Sequence, residues 1–230
     1  MDYPIYPCGD CAVTLQIGAE ISEQVNREVV CALNALRKAD IIGVVELVPT
    51  YTSICIHYDP AMLSYETLQR TIGQIKINLS EDNQEATGRI VEIPVCYGGE
   101  YGPDLSFVAQ HNGLTPEEVI KRHSEGEYLV YMLGFLPGFA YMGGMDASIA
   151  CPRLESPRTK IPAGSVGIAG TQTGIYPLSS PGGWQLIGRT PLKMFAIHGD
   201  QTQFALSAGD RVRFVPITEE TYREMEAAND

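Results

Sequence analysis

The chain has 230 residues, of which 44% are hydrophobic and 19% charged, and its formal net charge is −12. This composition indicates a globular protein with one large or two small domains. The negative charge argues against a nucleic-acid partner, because phosphate binding requires many Lys and Arg side chains. No run of apolar residues is long enough to cross a membrane, and the N-terminal residues Met1–Pro4 do not begin a signal peptide. We therefore expect a cytoplasmic protein.

The first third of the chain alternates strands with amphipathic helices. Residues 11–17 have the period of a strand, and residues 21–37 carry apolar side chains at helical spacing. Two strands follow over 43–48 and 53–58, and Ser64 can cap a second helix. This order is that of the ferredoxin-like split β-α-β unit. A strand over 90–95 either completes this unit or is the first strand of the next domain.

The remainder of the chain predicts a β-barrel. Residues 134–191 contain eleven glycines and seven prolines, too many for regular helices. Two short helices precede this stretch, the second opened by a capping box of Thr115 and Glu118. Many short strands joined by tight turns indicate a closed or nearly closed barrel. With the polar run 80–88 as a linker, we predict an α+β fold with domains over 1–88 and 89–230.

Several familiar motifs are excluded by their context. Six cysteines include a C-x-x-C at Cys8–Cys11, but no second pair accompanies it, so we predict reduced thiols and no metal site. Residues 104–123 have helix-turn-helix spacing, yet Glu117 and Glu118 would repel phosphate at the start of the second helix. A phosphate-binding G-x-x-x-x-G-K-[ST] loop is absent from the sequence. His123, at the end of the capped helix, is the best candidate for an acid or base.

The part of the chain from residue 134 onward, here called the Gly-rich half, also carries the groups that bind small anions. Residues 151–213 contain seven basic and three acidic side chains, a local charge of +4 in an anionic protein. Hydroxyls, amides and arginines in loops provide oriented donors for a carboxylate or phosphate. Barrel corners also require glycine, so a purely structural interpretation stays open. The aromatic side chains of this half either face a partner or fill the barrel interior.

Long segments of the chain resemble a known family. These are IPVCYGGEYGPDL (93–105), the loop 134–144, the run 162–195 and GDRVRFVPI (209–217). They are similar to the KipI family of 5-oxoprolinase B subunits, also called allophanate hydrolase subunit 1 or the carboxyltransferase C/D subdomain. The resemblance covers nearly the whole chain. Ala140, Met142 and Thr52 depart from the residues expected at their positions, where they could alter the wall of a pocket.

The resemblance implies a fold, partners and an activity. It implies a cyclophilin-like C-terminal barrel and association with two other subunits, one of the KipA type and one of the LamB/YcsF type, to form an ATP-dependent 5-oxoprolinase. That enzyme opens the lactam of 5-oxoproline to glutamate. Other members of the family are described as inhibitors of a sporulation histidine kinase, and others as carboxyltransferase parts of urea amidolyase. We therefore expect a non-autonomous part of an enzyme, with the kinase inhibitor and a component of the allophanate/urea pathway as alternatives.

The same reasoning nominates the residues of the site. ATP with Mg²⁺ is the expected cofactor, and the missing phosphate loop places it in another kind of site, or on or between partner proteins. Cationic groups would stabilise the phosphoryl group and the substrate carboxylate. The catalytic candidates are His123, Arg153 and Arg158. The substrate-binding candidates are Phe135, Pro137, Phe139, Lys160, Ser165, Gln172, Thr173, Tyr176, Trp184 and Arg189.

Overall fold

The computed structural model describes residues 3–75, 89–198 and 201–229. The chain divides into two compact units, Met1–Gly88 and Arg89–Asp230. The predicted linker over 80–88 lies outside the described residues. In the described ranges, no helix has both the length and the apolar character needed to cross a membrane.

The first unit is a four-stranded antiparallel sheet with two helices. Its elements are β1 (Ile5–Pro7), β2 (Ala12–Gln16), α1 (Glu23–Ala39), β3 (Val44–Pro49), β4 (Ser53–Tyr58) and α2 (Tyr65–Gln74). The sheet order is β1-β2-β4-β3, so β4 lies between the two strands that α1 connects. This is the predicted split β-α-β arrangement. The outer position beside β2 is occupied by the short β1, which the sequence did not predict.

Both helices of this unit begin at a serine cap, and the cap at Ser64 was predicted from the sequence. The Ser22 side chain accepts a hydrogen bond from the Val25 N–H, and Ser64 does the same for Thr67. The apolar stripe of α1, including Val29 and Leu33, packs on inward-facing residues of the sheet such as Ile54. Because side chains alternate along a strand, Cys55 and His57 lie on the opposite face of β4.

The second unit is built on a closed barrel of seven strands. Its elements are β5 (Ile90–Tyr97), α3 (Leu105–Asn112), α4 (Pro116–Glu125), β6 (Tyr128–Leu133), β7 (Ala140–Gly143), a 3₁₀ turn (Ala147–Ile149), β8 (Arg158–Ile161), β9 (Ser165–Ala169), β10 (Gln172–Ile175), β11 (Ser180–Gly182), β12 (Gln185–Arg189), β13 (Phe195–His198), β14 (Gln201–Phe204), β15 (Arg211–Pro216) and α5 (Glu219–Asn229). The barrel order is β10-β7-β6-β15-β5-β12-β9, and pairing of β9 with β10 closes it. Strands β8 and β11 form a separate two-stranded antiparallel sheet, and the consecutive strands β13 and β14 form a hairpin.

Strand β5 settles the alternative left open by the sequence. It pairs in parallel with β15 over Ile90–Val95 and therefore opens the barrel instead of completing the first sheet. The predicted α+β fold with an α/β unit and a β-barrel is confirmed. Helices α3 and α4 form a hairpin that packs on β12 and β15, and the capping box of Thr115 and Glu118 is present.

Candidate functional site

A cavity of about 310 Å³ opens beside β10 in the second unit. Three segments of the Gly-rich half line it, around residues 135–141, 153–157 and 176–184. Its lining residues are Phe135, Phe139, Tyr141, Arg153, Pro157, Tyr176, Pro181, Gly182, Gly183 and Trp184. Five of the predicted site residues, Phe135, Phe139, Arg153, Tyr176 and Trp184, are therefore brought together here.

The floor of this cavity is a cluster of aromatic rings around Phe139. The ring of Phe139 lies edge-on to Tyr141 at 4.8 Å, to Tyr176 at 5.4 Å and to Trp184 at 5.5 Å between centroids. These are favourable geometries for aromatic pairs. Phe139, Tyr176 and Trp184 are only 2%, 2% and 5% exposed. The cluster is thus a small core of its own, and its rigidity fixes the shape of the cavity.

Glycines on the outer face of the barrel make room for these rings. In β9, Val166 and Ile168 belong to the main barrel core, whereas Gly167 between them faces Trp184. A side chain at position 167 would place its Cβ only 3.1 Å from the Cβ of Trp184. Gly174 of β10 is similarly placed, 3.0 Å from the indole ring. The aromatics therefore pack outside the barrel and do not fill its interior. Gly167 and Gly174 therefore make room for an aromatic side chain.

Arg153 provides the positive charge of the cavity. Its guanidinium lies 5.9 Å from the centroid of the Trp184 ring, a cation–π arrangement. Among the described residues, no carboxylate pairs with this exposed side chain. Burial raises the pKa values of Tyr141 and Tyr176, and the charge of Arg153 acts against that rise. Both phenols therefore stay protonated near neutral pH, and the cavity combines one cation with hydroxyl groups that can donate to an anion.

Arg158, the second catalytic candidate, is committed to another residue. Its Nη2 lies 2.6 Å from Oδ1 of Asp104, and its Nη1 donates to the carbonyl of Trp184 at 3.5 Å. Asp104 Oδ2 accepts from the N–H of Leu186 at 2.6 Å. This pair ties the start of α3 to the strand that follows Trp184, so Arg158 supports the cavity from behind and does not line it.

His123 is enclosed in the barrel interior. The ring stacks on Phe214 at 4.4 Å, and its Nδ1 and Nε2 lie 2.7 Å from the Tyr97 hydroxyl and 2.9 Å from the Thr173 hydroxyl. Thr173 donates onward to the Gly167 carbonyl at 3.1 Å, so it must accept from His123 Nε2–H. Nδ1 then accepts from Tyr97. Burial lowers the pKa of His123 to about 3, so the ring is neutral near neutral pH and forms an internal hydrogen-bond chain apart from the cavity.

The sequence of this chain matches, over residues 3–206, the family described as carboxyltransferase domain, subdomain C and D. The chain belongs to the carboxyltransferase C/D family. The resemblance found in the sequence is thereby confirmed.

Individual relatives of this carboxyltransferase C/D chain include separate subunits and parts of longer proteins. It is 50% identical to the 5-oxoprolinase B subunit of Bacillus subtilis, over 96% of this chain and 95% of that protein. It is 24% identical to urea amidolyase of Saccharomyces cerevisiae, over 94% of this chain but 13% of that protein. The solved structure of TTHA0988 is similar with a TM-score of 0.79 and 38% identity, over 90% of this chain and 40% of that one.

The other predicted site residues of this carboxyltransferase C/D chain lie away from the cavity lining. Ser165 is fully buried in β9, where the described part of the chain gives its hydroxyl no hydrogen-bond partner, and Arg189 lies 5.4 Å over the ring of Tyr101. Lys160, Pro137 and Gln172 lie at strand or loop positions, exposed for the first two and half-buried for Gln172. Sequence reasoning did not nominate Tyr141 or Asp104 for the site. Asp104 lies within the family-like segment 93–105, which was the available signal.

Proposed function

We propose that this chain is the B subunit of an ATP-dependent 5-oxoprolinase, a cytoplasmic enzyme that opens 5-oxoproline to glutamate. The observation that carries the proposal is the 50% identity to a 5-oxoprolinase B subunit across almost the full length of both proteins. At this level of identity over both units of the chain, a shared role is the simplest account.

The proposal includes dependence on partner proteins. The cavity offers a cation and phenol hydroxyls, but His123, the predicted base, is neutral and fully enclosed elsewhere. Activation of water therefore requires groups from another chain. The longer relatives, in which a module like this one forms part of a larger polypeptide, support the same conclusion. We infer two partners, one of the KipA type and one of the LamB/YcsF type.

The cavity suits the anionic end of the substrate. A carboxylate beside Arg153 would gain charge-assisted hydrogen bonds and bidentate geometry. The five-membered lactam ring is flat and largely apolar, and Trp184 and Phe139 offer surfaces of that character. In this arrangement the chain binds and orients 5-oxoproline and excludes water from one side of it, while the reacting amide faces the partner proteins.

The described residues do not fit a magnesium nucleotide. Within residues 3–75, 89–198 and 201–229, no three His, Cys, Asp or Glu side chains are grouped to hold a metal ion. A nucleotide site also needs several donors around the phosphates, whereas the cavity supplies one guanidinium. We therefore place ATP and Mg²⁺ on a partner or at an interface with one.

Reconstitution tests the proposal. The chain is purified alone and with candidate KipA-type and LamB/YcsF-type partners, and glutamate release from 5-oxoproline is measured with ATP. We expect turnover only in the mixture, and Arg153→Ala should lower it about ten- to a hundredfold, the loss of one charge-assisted contact. Arg223→Ala, on the exposed face of α5, is the matched control and should retain full activity. Turnover by the chain alone, or full activity of Arg153→Ala, would refute these claims.

A second candidate is a carboxyltransferase role in a urea pathway. The family description and the urea amidolyase relative favour it. The same preparations should then transfer a carboxyl group from carboxybiotin to urea. Activity in that assay without glutamate release from 5-oxoproline would select this alternative.

A further inference from the structure

The segment that carries Arg153 has no regular secondary structure and is held in place by hydrogen bonds on both sides of that residue. Cys151 is joined to the turn between β9 and β10 by two backbone hydrogen bonds, of 3.2 and 2.7 Å. After Arg153, the Leu154 N–H donates to the Gly183 carbonyl at 2.7 Å. Pro152 has no N–H, so its carbonyl is the only backbone group with which it can form a hydrogen bond.

A side-chain amide donates to that carbonyl. Gln185 Nε2 lies 3.0 Å from the Pro152 carbonyl oxygen. Gln185 is the first residue of β12 and is 2% exposed. Its chain neighbours Trp184 and Leu186 both belong to the hydrophobic cluster on the outer face of the barrel, so the Gln185 side chain points away from that cluster. The same short stretch of chain therefore provides the ring beneath Arg153 and the amide that holds the backbone next to it.

The amide of Gln185 has only part of its hydrogen bonds. Across the described ranges, its buried Oε1 has no hydrogen-bond partner. A buried acceptor without a partner lowers stability, and an apolar side chain of the same length would avoid that loss. Pro152 is an exposed residue, so its carbonyl can be hydrated when the amide is removed. The geometry that Gln185 imposes therefore explains its presence better than the stability it adds.

We propose that Gln185 is a positioning residue for Arg153 and that it sets the preference of the cavity for a substrate with a carboxylate. Its amide fixes Pro152, from which the backbone continues to Arg153, so that the guanidinium lies over Trp184. Gln185 is not among the residues that line the cavity, so it acts on a ligand only through Arg153. The preference for a carboxylate rests on the proposed function, in which the cavity binds 5-oxoproline.

Fixing the backbone beside Arg153 strengthens binding because less order has to be created when the carboxylate arrives. The arginine side chain is long and flexible, and a bidentate contact requires its guanidinium plane to match the carboxylate. The Trp184 ring orients the end of the side chain, and Gln185 fixes the loop at its base. A binding group that is already in place loses less conformational freedom on binding.

Gln185→Met tests the proposal, because methionine keeps the length of the side chain but cannot donate a hydrogen bond. The melting temperature should stay within about 1–2 °C of the wild type. In the reconstituted enzyme, KM for 5-oxoproline should rise about three- to tenfold while kcat and KM for ATP stay unchanged, because the carboxylate is bound equally in the ground and transition states. The double variant Arg153→Ala/Gln185→Met should be no more impaired than Arg153→Ala alone.

Tyr128→Phe is the matched control. It also removes a buried side-chain hydrogen bond to a backbone carbonyl, that of His123 at 2.7 Å, but Tyr128 is not part of the cavity lining. This variant should have a lower melting temperature and an unchanged KM for 5-oxoproline. A large loss of stability in Gln185→Met with kcat and KM unchanged would make the amide structural and would overturn the proposal.

Fluorescence tests the positioning of Arg153 without partners or turnover. Trp184 is the chain's only tryptophan, and Arg153 lies over its ring. Gln185→Met should shift the Trp184 emission in the same direction as Arg153→Ala, and should cause no further shift when residue 153 is already alanine. If this pattern holds but the wild-type mixture has no turnover, the proposed function fails while Gln185 still positions Arg153. An unchanged KM in an active mixture, or an emission shift of equal size in the Arg153→Ala background, would show that Gln185 does not act through Arg153.

Discussion

Asp104 holds Arg158 with one carboxylate oxygen and the backbone of Leu186 with the other, at 2.6 Å in both contacts. The Asp104 side chain is 12% exposed and that of Arg158 30%. A carboxylate this sheltered depends on its cation, because removal of the cation would leave a charge desolvated without compensation. The pair therefore gives Arg158 a role different from that of Arg153.

Arg158→Ala should destabilise the protein, whereas Arg153→Ala should not. Losing the partner of a buried charge costs about 2 kcal/mol, which lowers the melting temperature by roughly 4–8 °C in a chain of this size. Arg153 is exposed and lies over Trp184, so its replacement should change the melting temperature by no more than about 1–2 °C. Scanning calorimetry of both variants measures the difference.

The double variant Asp104→Asn/Arg158→Ala is the control for this prediction. If the two side chains act as a pair, the double variant loses clearly less stability than the two single losses combined. An Arg158→Ala protein that melts like the wild type but fails to turn over substrate would contradict the structural role and return Arg158 to the ligand.

The enclosed His123 should make the protein sensitive to acid. Its pKa is about 3 when folded and 6.5 in the unfolded reference, so the unfolded chain binds the extra proton between these values. Stability from this group is fully present above pH 6.5 and is lost as pH falls toward 3. Between about pH 7.5 and about pH 5, the free energy of unfolding should fall by about 2 kcal/mol from His123 alone.

Urea unfolding at those two pH values measures the effect of His123. His123→Gln should have a flatter pH dependence, while His111→Gln, which replaces an exposed histidine, should match the wild type. Should His123→Gln fail to fold, the wild-type imidazole resonances serve instead. A His123 resonance that titrates near pH 6.5 would show that His123 is not enclosed.

Gly182→Ala should distort the cavity without unfolding the barrel. A Cβ at this position would collide with the Tyr176 hydroxyl and would lie 2.7 Å from Ile161 Cδ1. Overpacking of this kind costs about 1–3 kcal/mol and forces the Tyr176 ring to move. Because Trp184 is the chain's only tryptophan and lines the same cavity, its emission spectrum should shift.

Gly183→Ala is the matched control for that substitution. A Cβ at position 183 would lie 3.7 Å from the nearest atoms outside its chain neighbours, which is an ordinary contact distance. The φ of Gly183 is not in the left-handed region. The Gly183→Ala emission spectrum should equal that of the wild type. Equal spectra for both variants would mean that Tyr176 does not depend on the missing side chain at position 182.

The sequence predicted features that depend on local signals, and missed those that depend on distant packing. Caps such as Ser64 and Thr115, and the periodicity of the main elements, depend on a few neighbouring residues, and they indicated the helices and the barrel. The pairing of Arg158 with Asp104 joins side chains 54 positions apart, which no local pattern reveals. The enclosure of His123 likewise follows from the closed barrel around it. Five of the ten cavity-lining residues were among the candidates because aromatics and arginines were concentrated in glycine-rich loops.

Phe135 is the aromatic side chain best placed to contact a partner protein. It is 65% exposed at the cavity mouth and has φ 70°, a left-handed conformation that costs a bulky residue about 1–2 kcal/mol. Its ring touches the rest of the cluster only edge-on, at 5.6 Å from Phe139. An exposed aromatic held in a strained backbone is a candidate for a binding residue. Trp184 and Phe139 are less suitable probes, because truncation of such buried rings costs about 3–5 kcal/mol of stability.

Phe135→Gly should therefore keep or raise the melting temperature while weakening association with a KipA-type partner. Glycine relieves the left-handed strain, which offsets the lost ring contact. If the side chain is central to the interface, its loss should cost about 2 kcal/mol, or roughly thirtyfold in affinity. Phe135→Asn should have the same effect as Phe135→Gly, because asparagine also tolerates the left-handed backbone conformation. Phe107→Ala, on the exposed face of α3, should bind the partner normally. Wild-type affinity in both Phe135 variants, measured by calorimetric titration, would move the interface away from the cavity mouth.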